Sequence, residues 1–236
     1  THIFNGTGTL LKLASKLKSL DAEALFDLQG KVSSIALRNL VNAPITRAYS
    51  KRTLSEQYMA AAGRYPLRFS DQKPVWQKYA LTCSIDITAP DPLLELTPEY
   101  MAESKALLTQ LGLREKAFIL IHPDASKPGK TLAPELVKAI AGKLNQKVAI
   151  IGTSDHDLCL QDSCLDLRNR FKLRQLPGLM KLSAGVVSSD SGPMHMARAV
   201  DVPLAAIFLQ TCPSLGFAPV PGKMVLVISR ELECKP

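Results

Sequence analysis

The residues Ala184-Gly-Val-Val-Ser-Ser-Asp-Ser-Gly-Pro-Met-His-Met-Ala-Arg-Ala-Val200, followed by Asp201-Val-Pro-Leu-Ala-Ala-Ile-Phe208, limit the fold of this chain more than any other stretch. Ala184–Ser188 is short, apolar and partly β-branched, which predicts a buried strand. Pro193 suits the first turn of a helix, where its missing N–H costs nothing, and Ser191 or Gly192 is placed to cap that helix. Pro203 cannot continue a helix, and Leu204–Leu209 is apolar again. The pattern is strand, tight loop, helix, strand. The loop Ser188–Gly192 then lies at the carboxyl end of a strand and the amino end of a helix. Free amides and the helix dipole make such a place an anion site, and open parallel sheets bind ligands there. This loop is the candidate holder of the diphosphate of a nucleotide-linked substrate.

The same rhythm continues around it. Ala117–His122 and Lys147–Ile151 read as strands, the second ending at Gly152. Pro134–Leu144 and Leu176–Ser183 read as helices. Thr97-Pro98-Glu99 opens a further helix that ends near Gly112: Thr caps, Pro takes the first position, and Glu favours the first turn. Strands alternating with helices predict a parallel, doubly wound α/β sheet.

Upstream, Lys12–Leu20, Ser33–Val41, Glu56–Ala62 and Val75–Ser84 are predicted helices. Asn42 stands near the stop of the second. Ala24–Leu28 and Ile45–Tyr49 are predicted strands, and Gly63–Pro74 a loop. Pro90, Pro92 and Pro98 mark Ile85–Pro98 as an extended connector, so the expected domains are residues 1–96 and 97–236.

Composition excludes several classes. With 46% hydrophobic residues a sizeable core is available, and wholesale disorder is not expected. No apolar run reaches the ~20 residues of a membrane span. Thr1-His-Ile-Phe4 carries no secretory pattern. The five cysteines (83, 159, 164, 212 and 234) lack C-x-x-C spacing, which reads as reduced cytoplasmic thiols rather than a disulfide frame or zinc site. Net charge is +8, and Lys31–Lys78 holds nine Lys or Arg against Glu56 and Asp71. That basic stretch either is a solvated face or attracts phosphates and anionic headgroups. No nucleic-acid recognition signature accompanies it. A serine hydrolase built on Asp190, Ser191 and His195 is a poor reading without a G-x-S-x-G elbow, and no G-x-G-x-x-G marks a dehydrogenase.

Three blocks stand in order: Ile121-His-Pro-Asp-Ala-Ser-Lys-Pro-Gly-Lys130 with Pro134-Glu135, Val148-Ala-Ile-Ile-Gly152 with Asp155-His156-Asp157, and Asp190-Ser-Gly-Pro-Met-His195. With Asp27-Leu-Gln-Gly30 and Ser34, they resemble the ADP-heptose:lipopolysaccharide heptosyltransferases, the ninth glycosyltransferase family. The resemblance implies two facing Rossmann-like domains of the GT-B type and an inverting glycosyltransferase that moves a heptose or related sugar from an ADP-linked donor to a lipopolysaccharide core acceptor. It implies no cofactor and no metal. The donor nucleotide would lie in the C-terminal half, with Asp190, Ser191 and Gly192 near the diphosphate. Asp190 would meet a sugar hydroxyl or a loop N–H rather than phosphate. His195 would donate to the diphosphate or simply pack. Lys130 matches a phosphate-binding lysine, and Ser126 a hydroxyl on the same loop, where Ala125 replaces a second hydroxyl. Asp157, with Asp155 as the alternative, matches an acid that binds the donor ribose. Phe171 falls near the position that covers the base, or packs in the core.

The implied partners are an ADP-sugar and an anionic, lipid-linked saccharide at the inner face of the cytoplasmic membrane, met by the basic stretch. Family members begin with a strand and a loop bearing the proposed general base, so the N-terminal domain is expected to be incomplete here; Asp27, the nearest carboxylate, is a structural candidate. A non-catalytic homologue that binds a nucleotide sugar or anionic glycan is the alternative.

Overall fold

The computed structural model describes residues 7–49, 73–87, 91, 94–155, 157–158 and 164–230. The predicted helix Glu56–Ala62, most of the predicted loop after it, and much of the basic stretch lie outside these residues, as do His156, Cys159 and Cys234. Two compact units divide the chain, residues 1–89 and 90–236.

The first unit contains α1 (Thr7–Lys18), β1 (Ala24–Asp27), α2 (Val32–Val41), β2 (Ile45–Ala48) and α3 (Val75–Thr82). β1 and β2 pair in parallel, with Ala24 opposite Ile45. α2 stops where expected: Asn42 takes a left-handed conformation at φ 52° and its N–H donates to Arg38 O, a conformation Asn tolerates better than most residues. Asp27 organises the turn between β1 and α2. Its Oδ1 accepts from the N–H groups of Gln29 (3.0 Å) and Gly30 (2.9 Å), and its Oδ2 from Ser34 Oγ (2.9 Å). Burial opposes the charge, but these bonds and nearby Arg38 outweigh it and hold the carboxyl below its ordinary value. Both oxygens are occupied, in keeping with a structural role.

The second unit opens with α4 (Pro98–Gln110), then β3 (Phe118–His122), α5 (Pro134–Ala141), β4 (Lys147–Ile150) and β5 (Cys164–Asp166). It continues with α6 (Leu176–Leu182), β6 (Gly185–Ser189), α7 (Gly192–Ala199), β7 (Leu204–Phe208) and β8 (Val225–Ser229). All six strands are parallel in the order β5-β4-β3-β6-β7-β8. The expected doubly wound sheet is present, with two outer strands, β5 and β8, that the periodicity did not announce. α4 begins as expected: Thr97 Oγ1 accepts from the Tyr100 N–H at 3.2 Å behind Pro98.

Side chains alternate between the two faces of the sheet, the period-two geometry of a strand. Phe118 and Leu120 of β3, Ala149 of β4 and Val186 of β6 enter one cluster with Leu108, Leu179, Met180, Met194 and Ala197 from helices α4, α6 and α7. Ile121, Val148, Ile150 and Ile207 enter the opposite cluster with Val137 and Ala141 of α5. Covering both faces is what leaves these strands apolar throughout. At the far end of α7, the Arg198 guanidinium donates to Val220 O (2.9 Å), Pro221 O (3.2 Å) and Asp91 Oδ1 (3.2 Å), and lies 3.6 Å from Asp201.

Candidate functional site

In this strand order the chain runs outward from β3 through β4 to β5, then crosses to β6 and runs outward the other way. The reversal falls between β3 and β6, and the connections that leave their carboxyl ends run to opposite faces of the sheet, α5 on one and α7 on the other, which makes a crevice there. His122 and Ser188, side by side in the register, stand at its base. The loops after β3, β6 and β7 meet above them.

Lys130 and Asp190 join the first two loops. Lys130 Nζ lies 2.6 Å from Asp190 Oδ2, and the two side chains are 21% and 7% exposed. Thr211, just after β7, donates from Oγ1 to the same oxygen at 2.7 Å. Asp190 therefore takes a lysine and a hydroxyl as partners, neither of which was foreseen for it. Gly129 lies under Gln210, whose N–H reaches Gly129 O at 3.3 Å.

Ser191 occupies the N-cap position of α7, but its side chain makes no capping bond. The capping expectation fails because the hydroxyl has tertiary partners: Oγ is 3.2 Å from His122 Nδ1 and 3.2 Å from Ser189 O. The helix amino end is thus left without a side-chain cap from Ser191, and Gly192 is exposed there with nothing within 4 Å of where a Cβ would stand. His195, one turn on, is exposed on the outer side of α7. Surrounding protein lowers its pKa, while Asp190 acts to raise it.

A cavity of about 720 Å³ opens beside this cluster. Ser126 lies on its wall with Asp157, together with the hydroxyl-bearing Thr131, Thr153 and Ser154. Asp124 organises the cavity floor: Oδ2 accepts from the N–H groups of Thr153 (2.7 Å) and Ser154 (3.0 Å). Burial raises its pKa, but the bonds from Ser154 and Thr153 and the proximity of His122 win, leaving it below the ordinary value. Gly152 makes this clamp possible. At φ +150° it permits a close approach, and a Cβ there would sit 2.1 Å from Asp124 Oδ2. Arg168 braces the far side, donating to Asp166 (2.7 Å) and to Ser154 O (3.1 Å). Asp155 accepts from Asn169 Nδ2 at 3.0 Å.

The structure thus gathers Lys130, Asp190, Ser191, Gly192 and His195 around the head of α7, and Ser126 with Asp157 in the adjoining cavity. Phe171 is half-buried and packs against the main core cluster, and does not line that cavity. His122, Asp124 and Thr211 escaped notice. The first two lie within the block Ile121–Lys130, where the chemistry of a His-Pro-Asp run is the available signal. The third follows a parallel strand directly, which is the position where such sheets place ligand contacts. Among the described residues no group of three or more His, Cys, Asp or Glu is arranged to hold a metal ion. Among the same residues no helix is long and apolar enough to cross a membrane.

The fold recurs in solved structures. Escherichia coli ADP-heptose LPS heptosyltransferase II matches with a TM-score of 0.69 at 20% identity, covering 94% of this chain and 72% of that one. A family 9 glycosyl transferase from Veillonella parvula matches with a TM-score of 0.74 at 18% identity, covering 95% and 69%. E. coli heptosyltransferase WaaC with ADP matches at 0.63 and 17%, covering 93% and 70%. These likenesses establish the GT-B fold. No curated protein matches the sequence. The family model described as glycosyltransferase family 9 (heptosyltransferase) matches residues 10–236, nearly the whole chain. With that match added to the sheet order and the motifs at its switch point, the chain belongs to glycosyltransferase family 9, the heptosyltransferases.

Proposed function

We propose that this chain binds an ADP-linked heptose and transfers the sugar, with inversion, to an anionic lipopolysaccharide core acceptor at the inner face of the cytoplasmic membrane. The observation that carries the reading is the meeting of the Lys130 loop with the uncapped head of α7 at the strand-order reversal. WaaC was solved with ADP, which supports the choice of nucleotide.

In direct displacement, negative charge grows on the departing diphosphate as the acceptor oxygen attacks the anomeric carbon. Lys130 is a point charge beside that group, and the amides of Ser191 and Gly192 with the α7 dipole add fixed donors. Asp190 holds the ammonium in place and spares it a search for orientation. Ser126 offers a hydroxyl to the phosphates, and His195 another donor. Asp157, on the cavity wall, accepts from the ribose hydroxyls. The positive charge carried by the sequence from Lys31 to Lys78 attracts the phosphorylated acceptor and the membrane surface. The reaction is carried by positioning and charge stabilisation, with no cofactor and no metal invoked.

Calorimetry with ADP, UDP and GDP tests the donor assignment, and release of ADP from an ADP-heptose mixed with heptose-deficient core lipopolysaccharide tests transfer. Preference for ADP and acceptor-dependent release are expected. Absence of ADP binding would overturn the reading, and binding without release would leave only a sugar-nucleotide binding protein.

A further inference from the structure

His122 ends β3 with 8% of its surface exposed. Its Nδ1 stands 3.2 Å from Ser191 Oγ, and this contact ties β3 to the head of α7. Around Ser191 Oγ lie Ser189 O at 3.2 Å, Ser189 Oγ at 3.2 Å and Ser188 Oγ at 3.5 Å. The Ser189 hydroxyl is only 2.5 Å from Asp124 O, so its proton is committed there. Ser188 Oγ likewise donates to Ser189 O at 2.9 Å.

A hydroxyl has one proton and two lone pairs. If Nδ1 is bare, it draws the Ser191 proton inward, away from the amino end of α7. If Nδ1 carries hydrogen, it fills a lone pair of Ser191 and leaves that proton to Ser189 O, the carbonyl 3.2 Å away, until a stronger, charged acceptor arrives. The imidazole therefore sets whether the hydroxyl beside the anion site is held by the ring nitrogen or can be drawn from Ser189 O to a ligand.

We propose that His122 is a positioning residue whose Nδ1–H holds Ser191, so that the Ser191 hydroxyl donates to a phosphate oxygen of the bound nucleotide. The inference rests on the donor reading above and assigns His122 no contact with the substrate. A histidine that merely filled the core would be indifferent to which of its nitrogens was mimicked. Asparagine places its amide where Nδ1 stands, and glutamine reaches the Nε2 position instead.

The test measures ADP affinity by calorimetry, with melting temperatures in parallel, for wild type, Ser191→Ala, His122→Asn, His122→Gln and His122→Gln/Ser191→Ala. Ser191→Ala and His122→Gln each weaken ADP by about tenfold, the loss of one hydrogen bond to a charged group, and the double variant is no weaker than either single one. His122→Asn stays within about twofold of wild type, since it restores the same bond. Equal losses in the Asn and Gln variants, or losses that multiply in the double variant, overturn the inference while wild-type ADP binding keeps the donor reading intact. A wild-type chain that binds no ADP overturns both.

Discussion

Lys130 Nζ and Thr211 Oγ1 converge on one oxygen of Asp190, at 2.6 and 2.7 Å, and so bind three loops from three parallel strands into a single cluster. The cluster lies at the mouth of the switch-point crevice. It sets the order in which substitutions there will matter.

Lys130→Ala removes the cation and leaves Asp190, at 7% side-chain exposure, with Thr211 as its remaining partner in the cluster. ADP affinity falls by about ten- to a hundredfold, the worth of a charge-assisted hydrogen bond, and stability falls by about 1–3 kcal/mol because a desolvated carboxylate loses its counter-ion. Calorimetry and urea unfolding read the two effects. Unchanged affinity would remove Lys130 from the site.

Thr211→Val keeps the shape of the side chain and deletes its donor. Asp190 then relies on Lys130 alone, and a loss of about 1 kcal/mol in stability is expected with the fold retained. Equilibrium unfolding by urea measures it, and a variant as stable as wild type would show that the 2.7 Å contact contributes nothing.

Gly152→Ala brings a methyl group to within 2.1 Å of Asp124 Oδ2 in a backbone conformation at φ +150° that side chains rarely adopt. The clamp on Thr153 and Ser154 must open. A cost of at least about 2 kcal/mol follows from the strain and the lost bonds together. Circular dichroism melting shows it as a lower midpoint, and accommodation without loss would mean the β4 loop is freer than its bonds imply.

Asp124 links stability to acid. Its folded pKa is lowered below the unfolded value, because the Ser154 and Thr153 bonds and His122 outweigh burial. Its contribution is therefore complete above the unfolded value of about 4 and is lost as pH falls through the lower folded value. Asp124→Asn should flatten the fall in unfolding free energy below about pH 4 relative to wild type. An identical acid limb in both proteins would show that Asp124 is not the group responsible.

Local signals served this chain well where local chemistry decides the outcome. Thr97-Pro98-Glu99 could be read as a helix start because all three residues act within one turn. β3, β4, β6 and β7 were legible because burial on both faces leaves them apolar. β8 carries a signal of its own: Val225-Leu-Val-Ile228 is a β-branched apolar run of ordinary strand length. β5 carried almost none, since Cys164-Leu-Asp166 is three residues long and owes its state to pairing with β4.

The site divides in the same way. Gly192 and Pro193 announce the head of α7. The Lys130–Asp190 pair spans 60 positions and the His122–Ser191 contact 69. Neither distance is encoded in spacing along the chain; both follow from β3 and β6 becoming neighbours. The same adjacency draws Ser191 away from the capping role that its position suggested.

Arg198 makes the helix above it a fixed instrument. One guanidinium fastens the carboxyl end of α7 to two separate stretches of chain, at Asp91 and Val220–Pro221, and pairs with Asp201 just past the helix. A helix moored this way cannot slide along its axis to greet an anion. Whatever attraction its amino end exerts is preorganised during folding, so a guest is met by a field that is already in place.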